Sequence, residues 1–385
     1  MTTKRAMQGK VLICTVGTSL FEPNLSSISE DDEGRGALYR AYRDRNWELL
    51  AEELVKVDPK ERICGAEINS MASMTEEGII GDSGTLHLCH SDTPVGANIA
   101  QVLKLYYEKK GWFANIWKIE GLQDEDPRLF RTTGLRNLAK TISRIIRESG
   151  SPEFCAINAT GGYKAQIAIA VLAGQAIGIP VYYKHERFPI IISLPPLPVA
   201  LDFRYWLSKF GILLLIDREQ IVAMADIEED LDEKMESLIE KEDIDGKDYV
   251  ELSPLGLIFL ESFKNYFHES SGTLLPHDVP KSEKKRVSLS DHDWGRMRGQ
   301  VKRILDNIVY TVPYVKEIHT NYLNPDLPSK SRFRLSSKGD IEGIMSLHGS
   351  TIKFTVLTSA ADEAQREAVV ADLNLRLDRQ DFKIE

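Results

Sequence analysis

Two short stretches of this 385-residue chain combine residue types that can do chemistry. The first is the loop Asn158-Ala-Thr-Gly-Gly-Tyr-Lys164, which follows the apolar run Phe154–Ile157 and precedes a predicted helix reaching about Ala176. Glycines let a backbone approach a ligand closely, and the first N–H groups of a helix, at the positive end of its dipole, bind anions. The loop is neither a Walker loop nor GxGxxG. It therefore predicts phosphate binding without indicating a mononucleotide or NAD site.

The second stretch is Arg332-Phe-Arg-Leu335, a predicted strand. Strand geometry places Arg332 and Arg334 on one face and turns the two apolar residues towards the core. Guanidinium groups bind phosphate bidentately, and RNA carries its own nucleophile in the 2′-OH, so this face suits RNA cleavage without a metal. Further candidates nearby are Lys338, His348 and Arg366. The alternatives are a solvated strand face for the two arginines and a turn role for His348.

The elements that must position the glycine loop are those of an α/β domain. The apolar run Val11–Val16 ends in Gly17-Thr18-Ser19, which is typical of a buried parallel strand and its exit loop. Strand-like runs, among them Phe188–Leu194, alternate with helical stretches up to the proline-rich segment 194–198. Residues 1–203 are therefore predicted to form a Rossmann-like, doubly wound parallel sheet. Ligands bind at the carboxyl ends of strands in such sheets, where both polar loops are expected to lie.

Residues 204–275 are predicted to form a winged-helix-like middle piece. The strand-like Tyr249–Leu252 is followed by Ser253-Pro254, which has the signature of a helix start, and the helix is expected to reach about Phe267.

A small α+β domain is predicted for residues 281–385. In chain order its predicted elements are a strand at Arg286–Leu289, a basic helix from Asp291 to about Tyr310 capped by Ser290, strands at Arg332–Leu335, Gly343–His348 and Thr351–Leu357 around a two-residue turn at Gly349-Ser350, and a helix at Ala361–Leu375.

Charge is distributed unevenly along the chain. The formal net charge is −10, and residues 217–248 alone hold 14 acidic and 4 basic residues. From Lys281 to Lys338 there are 13 lysines and arginines against 6 acidic residues. An acidic stretch beside a basic C-terminal domain indicates an anionic partner for that domain only.

The composition is that of a soluble globular protein. The four cysteines form no CxxC pair, so we expect reduced, buried thiols and no metal site. No apolar run approaches the ~18 residues that span a bilayer. The apolar stretch near the N-terminus is interpreted as a strand and not a signal peptide, which predicts a cytoplasmic protein.

The two polar loops of the first domain resemble those of the CARF domain of CRISPR type III accessory effectors. The resemblance implies a homodimer that binds cyclic oligoadenylate across a two-fold interface, with cyclic tetra-adenylate as the expected activator and no cofactor. By motif position, the implied ligand contacts are Thr18, Ser19, Thr160, Gly161, Gly162 and Lys164, with a further rim at Glu67–Thr75. The alternative is that the glycines only make tight turns.

The C-terminal domain resembles the RelE family of ribosome-dependent mRNA interferases. The resemblance rests on the strand Arg332–Leu335, the polar turn Ser336–Gly339 and the order of elements over residues 284–376. It implies catalytic roles for Arg332, Arg334, Lys338, His348 and Arg366. The chain departs from the family at Ile341, where these toxins usually have an arginine, and its last helix lacks their terminal tyrosine. The identity of the general base is therefore left open.

Together the two resemblances imply a metal-independent endoribonuclease that cyclic oligoadenylate activates. It would cleave mRNA on the ribosome through 2′-OH attack, give a 2′,3′-cyclic phosphate and inhibit translation in antiviral defence. The implied partners are a second copy of the chain, mRNA and the ribosome, with its stalk protein as a contact, and no membrane.

Other functions stay open at this point. A CARF transcription regulator would bind DNA through the middle piece, although the acidic residues that lead into its helix disfavour that contact. A HEPN ribonuclease needs an arginine–histidine motif within a helix, and Arg286 to His292 spans a predicted strand and a helix cap instead. A PD-(D/E)xK nuclease would need a lysine where Gly343 follows Asp340-Ile-Glu342. The first domain could also degrade its ligand slowly as a ring nuclease.

Overall fold

The computed structural model describes residues 11–32, 34–196, 203–289, 294–324, 330–347 and 349–382. The chain divides into two compact units. The first comprises Met1–Val199 with Leu257–Glu261, and the second comprises Ala200–Gly256 with Ser262–Glu385.

The first unit is built on a six-stranded sheet in the order β3-β2-β1-β4-β5-β6. The first five strands are parallel to their neighbours, and β6 pairs antiparallel with β5. The strands are β1 (Val11–Thr15), β2 (Thr85–Ser91), β3 (Phe113–Ile119), β4 (Cys155–Asn158), β5 (Val181–Tyr183) and β6 (Ile192–Leu194). This mixed α/β unit with a parallel-sheet core confirms the α/β part of the predicted fold class.

Helices cover both faces of this sheet. Leu12 and Cys14 of β1 pack in one core with α3 and α4, whereas α7 packs against β4 and β5 on the other face, where Gly174 lies close to Val181. The helices are α1 (Gly36–Arg43), α2 (Trp47–Val55), α3 (Gly65–Glu76), α4 (Pro94–Lys109), the single turn α5 (Pro127–Leu129), α6 (Leu135–Glu148) and α7 (Lys164–Ile177).

One prediction for this sheet was wrong in detail. The expected strand Phe188–Leu194 is shorter, Ile192–Leu194, and runs antiparallel. A parallel connection needs a crossover of about a dozen residues or more. Too few residues separate Tyr183 from Ile192 for that, so the chain turns back.

The second unit begins with α8 (Phe203–Glu219) and a three-stranded antiparallel sheet in the order β7-β9-β8. Its strands are β7 (Val222–Ala223), β8 (Ile239–Ile244) and β9 (Lys247–Leu252). The next element along the chain is α9 (Pro254–Leu274), whose residues Leu257–Glu261 belong to the first unit. The predicted helix start is confirmed, because the Ser253 hydroxyl accepts a hydrogen bond from the Gly256 N–H at 3.1 Å. The winged-helix interpretation stays a prediction.

A four-stranded antiparallel sheet in the order β10-β13-β12-β11 forms the rest of the second unit. Its strands are β10 (Val315–Asn324), β11 (Arg332–Leu335), β12 (Ile341–Leu347) and β13 (Ser350–Thr358), and its helices are α10 (Arg298–Thr311) and α11 (Glu363–Asp378). Strand β11 has the predicted bounds. The hairpin turn lies one residue earlier than expected, since Leu347 pairs with Ser350.

The start of this region was predicted wrongly. Arg286–Leu289 is not a strand, because side chains of α10 take its backbone groups: Asp306 accepts from the Val287 N–H, and Lys302 donates to the Val287 carbonyl. The helix begins at Arg298 after a turn of 3₁₀ helix, and not at Asp291. The predicted cap Ser290 lies outside the described residues. Strand β10 was missed because its apolar residues alternate only weakly.

All four cysteines are buried as free thiols, which confirms that prediction. Among the described residues, no helix is long and apolar enough to cross a membrane.

A buried amide fixes the edge strand that carries the arginines. Asn374 of α11 accepts from the Phe333 N–H at 3.0 Å and donates to the Phe333 carbonyl at 2.8 Å and to the Val370 carbonyl at 2.9 Å. Its side chain thus satisfies both polar backbone groups of a residue in the middle of β11. Each would otherwise be buried without a partner.

We therefore predict that Asn374→Leu lowers the free energy of unfolding by about 2–5 kcal/mol, because two backbone groups lose their partners. Urea denaturation of the full chain measures it. Asn307→Leu is the control, since its amide makes a single long contact of 3.5 Å to the Asp381 carbonyl. Equal destabilisation by the two variants would contradict this role for Asn374.

Candidate functional sites

A cleft of about 820 Å³ opens where the strand order of the six-stranded sheet reverses, between β1 and β4. We call it the switch-point cleft. The exit loops of β1, β4 and β5 meet the first turn of α3 there. The lining residues that matter most for chemistry are Ser19, Arg62, Thr160, Lys184, His185 and Arg187.

The exit loop of β1, which starts at Gly17, and the exit loop of β4, which contains Gly161 and Gly162, touch backbone to backbone. We call them the two glycine loops. A Cβ atom on Gly17 would lie 2.5 Å from the Gly162 nitrogen, and one on Gly161 would collide with the Glu67 carboxyl group. The Thr15 hydroxyl donates to the Gly161 carbonyl at 2.6 Å. These positions need glycine because two backbones and a side chain share one space.

A chain of hydrogen bonds ties the loops to the base of the cleft. The Asn158 side-chain NH₂ donates to the Ser70 hydroxyl at 2.7 Å, and the Thr160 hydroxyl donates to the Asn158 side-chain oxygen at 2.6 Å. Thr160 also accepts from the Lys184 N–H at 3.1 Å. Asn158 and Ser70 are fully buried. The ends of β4, β5 and α3 are therefore held in one fixed arrangement.

The cleft presents positive charge and the N-terminal end of a helix to a ligand. The first turn of α3 faces it, and the Ala66 N–H donates to the Ser19 hydroxyl at 3.0 Å. Lys184 holds its ammonium group 3.1 Å from the Phe188 carbonyl at the rim. Arg62 and Arg187 are exposed, and no carboxylate among the described residues pairs with either. Such a set suits an anion.

The structure brings some of the predicted ligand residues together and leaves others aside. Ser19 and Thr160 line the cleft, and Gly161 and Gly162 form the backbone junction behind it. Thr18 is exposed, and its carbonyl accepts from the Phe21 and Glu22 N–H groups. Lys164 is exposed at the first position of α7 and is not one of the lining residues.

Sequence reasoning missed Lys184, which lines the cleft and whose backbone N–H donates to Thr160. It directly follows β5, which is a neighbour of β4 in the sheet. The rule that ligands bind at carboxyl ends of parallel strands would have found it if the residues after each strand had been considered.

Glu67 lies fully buried between the two glycine loops. One carboxyl oxygen accepts from the Gly17 N–H at 2.6 Å, and the other has no hydrogen-bond partner among the described residues. Burial raises the pKa of Glu67 to about 7, although the Gly17 N–H acts in the opposite direction. The carboxyl group therefore takes up a proton near neutral pH.

A second candidate site lies on one face of β11. Arg332 and Arg334 share this face, as predicted, opposite Ile344 and Glu342 of β12. Phe333 was predicted to face the core, and this is confirmed, since it is buried in the core of the unit. We call Arg332, Arg334 and their neighbours Glu342 and Lys353 the arginine face.

The two arginines are ion-paired and do not form a solvated face. Arg332 lies 3.2 Å from the Asp230 carboxylate, and Arg334 lies 3.5 Å from Glu229 and 3.4 Å from Glu342. Glu342 also pairs with Lys353 at 2.9 Å. Burial lowers the pKa of Arg332 and Asp230 opposes this, but a guanidinium group stays charged.

The other predicted catalytic residues lie around the turn after β11. Lys338 is exposed in this turn, and Arg366 of α11 approaches Gly339, with the Arg366 Nε buried and without a hydrogen-bond partner among the described residues. His348 lies outside the described residues, as does His292 of the HEPN alternative.

No signal in the sequence pointed to Lys353, because only the pairing of strands brings it close to the arginines. The described residues contain no cluster of three His, Cys, Asp or Glu side chains that could hold a metal ion.

Most of the switch-point cleft is contributed by the stretch from α3 to the end of the first unit. This stretch matches a CRISPR-associated family. The family model, described as CRISPR-associated protein (Cas_APE2256), aligns with residues 62–197, about a third of the chain.

Two solved structures are also similar to this chain. One is Can2 from Sulfobacillus thermosulfidooxidans in complex with cyclic tetra-adenylate, with 10% identity over 70% of this chain and 68% of Can2, and a TM-score of 0.25. The other is VC1899 from Vibrio cholerae, with 8% identity over 91% of this chain and 77% of VC1899, and a TM-score of 0.23. Superpositions this loose bear on neither fold nor function.

The buried carboxyl group makes a pH-dependent contribution to stability. The folded protein holds the Glu67 proton more tightly than the unfolded chain, whose carboxyl pKa is near 4.5. This contribution is complete below pH 4.5 and is lost as the pH rises through about 7.

We predict that this group lowers the free energy of unfolding by roughly 3 kcal/mol between pH 4.5 and 7.5. The comparison with Glu67→Gln isolates it, because glutamine has a similar shape and does not titrate. Urea denaturation at pH 4.5 and at pH 7.5 should show a smaller fall in the free energy of unfolding for the variant than for the unsubstituted chain. Identical pH profiles would show that Glu67 keeps an ordinary pKa.

Proposed function

We propose that this chain is a ribonuclease activated by cyclic oligoadenylate, and that its first unit binds cyclic tetra-adenylate in the switch-point cleft. The observation that carries the proposal is the placement of Thr160, Lys184 and the first turn of α3 around one cationic cleft. Most of the residues that line this cleft belong to the stretch matched by the CRISPR-associated family model.

Cyclic oligoadenylate presents phosphodiesters and adenine rings, and the cleft has partners for both. Lys184, Arg62 and Arg187 supply positive charge at the rim, and the α3 N-terminus adds N–H donors. Tyr183 and Phe188 offer aromatic rings to the bases. A ring with two-fold symmetry fits a two-fold interface, so we propose a homodimer with one ring per dimer.

Binding of cyclic tetra-adenylate should depend on Lys184. Lys184→Ala removes a charge-assisted contact worth ~1.5–3 kcal/mol, so we expect affinity to fall by about tenfold or more. Lys164→Ala tests the lysine that the loop motif singled out. Lys164 lies at the first position of α7, beside the glycine loop and not in the lining of the cleft, so we expect this variant to weaken binding and activation less than Lys184→Ala. Lys241→Ala, on an exposed strand of the second unit, is the control.

Isothermal titration of the full chain with cyclic tetra-adenylate gives both the affinity and the number of rings per dimer. Affinity of Lys184→Ala equal to that of Lys241→Ala would exclude the cleft as the binding site. One ring per monomer would exclude the two-fold arrangement.

We propose that the second unit cleaves mRNA with the arginine face. Arg332 and Arg334 would hold the scissile phosphate and stabilise the phosphorane as the 2′-OH attacks. Lys338, Arg366 and His348 are proposed to assist at the adjacent turn. The general base is left open, so we propose that the ribosome holds the mRNA in a reactive geometry and that the chain binds the ribosome through a contact such as its stalk protein.

Arg334→Ala should slow RNA cleavage by about 10²–10³-fold or more while leaving the affinity for cyclic tetra-adenylate unchanged. Arg334→Lys should restore activity only in part, because an ammonium group lacks the bidentate fork. Primer-extension mapping of mRNA in a cell-free translation extract, with each cyclic oligoadenylate added in turn, measures the cleavage. Arg298→Ala on α10 is the control.

Two results would defeat this assignment. One is rapid, ligand-dependent cleavage of free RNA that survives the Arg332/Arg334 double alanine variant and is lost in His292→Ala. The other is the absence of RNA cleavage in an active extract that contains the ligand.

A further inference from the structure

The arginine face is covered by a short acidic stretch of the same unit. We call the residues Asp226–Asp230 the acidic segment; it lies between β7 and β8, begins at the end of one 3₁₀ turn (Met224–Asp226) and includes the next (Glu228–Asp230). Arg332 donates to the Asp226 carbonyl at 3.0 Å and pairs with Asp230, and Arg334 pairs with Glu229. Both guanidinium groups are thus occupied by adjacent residues of one segment.

The contact hides the groups that a phosphate would have to reach. The Arg332 side chain is only 11% exposed and that of Arg334 26%. The Arg332 Nε atom is buried without a hydrogen-bond partner among the described residues, and the Asp230 oxygen that lies 3.2 Å from the Arg332 guanidinium is buried as well. An RNA backbone cannot form a bidentate contact with Arg332 while Asp230 remains in place.

The chemistry of the segment resembles that of the proposed substrate. Carboxylates on consecutive residues, Glu229 and Asp230, present negative charge to the arginines as successive phosphates of a nucleic acid would. The pair of Arg332 with Asp230 is largely buried and adds little net stability, because desolvation cancels much of the attraction. The pair of Arg334 with the exposed Glu229 is also worth little, because water screens it. Replacing these carboxylates by phosphates therefore exchanges similar interactions, and the face can open without unfolding its sheet.

The acidic segment is fastened to α8. Lys209 of α8 donates to the Asp230 carbonyl at 2.8 Å and pairs with Asp232 at 3.0 Å, and the Tyr205 hydroxyl donates to Asp232 at 2.7 Å. Along the chain, α8 is the first element after the unit that carries the switch-point cleft. A displacement of α8 would therefore pull on the segment that covers Arg332.

We propose that the acidic segment is an internal substitute for the RNA backbone, which keeps the arginine face closed until ligand binding displaces it. This inference rests on the proposed function and adds its regulation. It predicts a protein that is inactive without ligand because its own carboxylates occupy the phosphate site.

The test neutralises the cover without changing its size. The variant is the full chain carrying Glu229→Gln and Asp230→Asn. Its matched control carries Glu228→Gln and Glu233→Gln, which change the net charge equally at two exposed residues of the same stretch that pair with no described residue. Glu229→Gln alone is a second variant, and it alters a side chain that is 88% exposed and cannot disturb the core.

Two measurements are made without ligand on each protein. The rate at which phenylglyoxal modifies Arg332, followed by peptide mass spectrometry, reports whether the guanidinium is covered. Translation in a cell-free extract reports activity. For the double variant we expect modification to be about tenfold faster, as for loss of one charge-assisted contact, and translation to be inhibited without cyclic tetra-adenylate. Glu229→Gln should show a smaller change, and the control should behave as the original chain.

The failures of the two proposals are distinguishable. Equal Arg332 modification in the double variant and the control would overturn the inference, whatever the enzyme does. So would faster modification with no activity above the unliganded level, in an extract where the original chain responds to ligand. If Arg332 opens as expected but no protein inhibits translation even with cyclic tetra-adenylate, the cover stands and the proposed ribonuclease function falls.

Discussion

The first unit depends on a backbone contact at the point where its strand order reverses. The exit loops of β1 and β4 approach so closely that glycine is required at Gly17 and Gly161, and the buried carboxyl group of Glu67 occupies the remaining space. Since Thr15 and Asn158 bond the loops to each other and to α3, the loops cannot move separately. The shape of the cleft above them follows from this junction.

The second unit applies the same principle to a strand edge. Strand β11 lies at the edge of its sheet, and Asn374 supplies the hydrogen bonds that a further strand would give to Phe333. The alternation of β11 then fixes the direction of Arg332 and Arg334. In both units, therefore, a buried polar side chain that bonds to the backbone positions the charged groups. Its position is well defined, because a buried amide or carboxyl group without hydrogen-bond partners costs free energy.

The two units differ in how they present positive charge. The switch-point cleft combines helix N–H groups with Lys184, Arg62 and Arg187, and it is open. The arginine face is closed by carboxylates from the most acidic stretch of the chain. The acidic stretch 217–248 and the basic stretch from Lys281 to Lys338 are therefore opposed in charge, and carboxylates of the first neutralise arginines of the second across a short distance.

The sequence by itself determined the parallel α/β unit, the bounds of β11, the start of α9 and the position of the glycine loop between a buried strand and a helix. These depend on local pattern: apolar runs, a period of two, a serine cap before proline and glycines after a strand. Tertiary structure alone decided that Lys184 and not Lys164 lines the cleft, that Glu67 lies between the loops, and that Asp230 covers Arg332. Each of these contacts joins residues far apart in the chain, and its geometry depends on how whole elements pack, which local propensity does not encode.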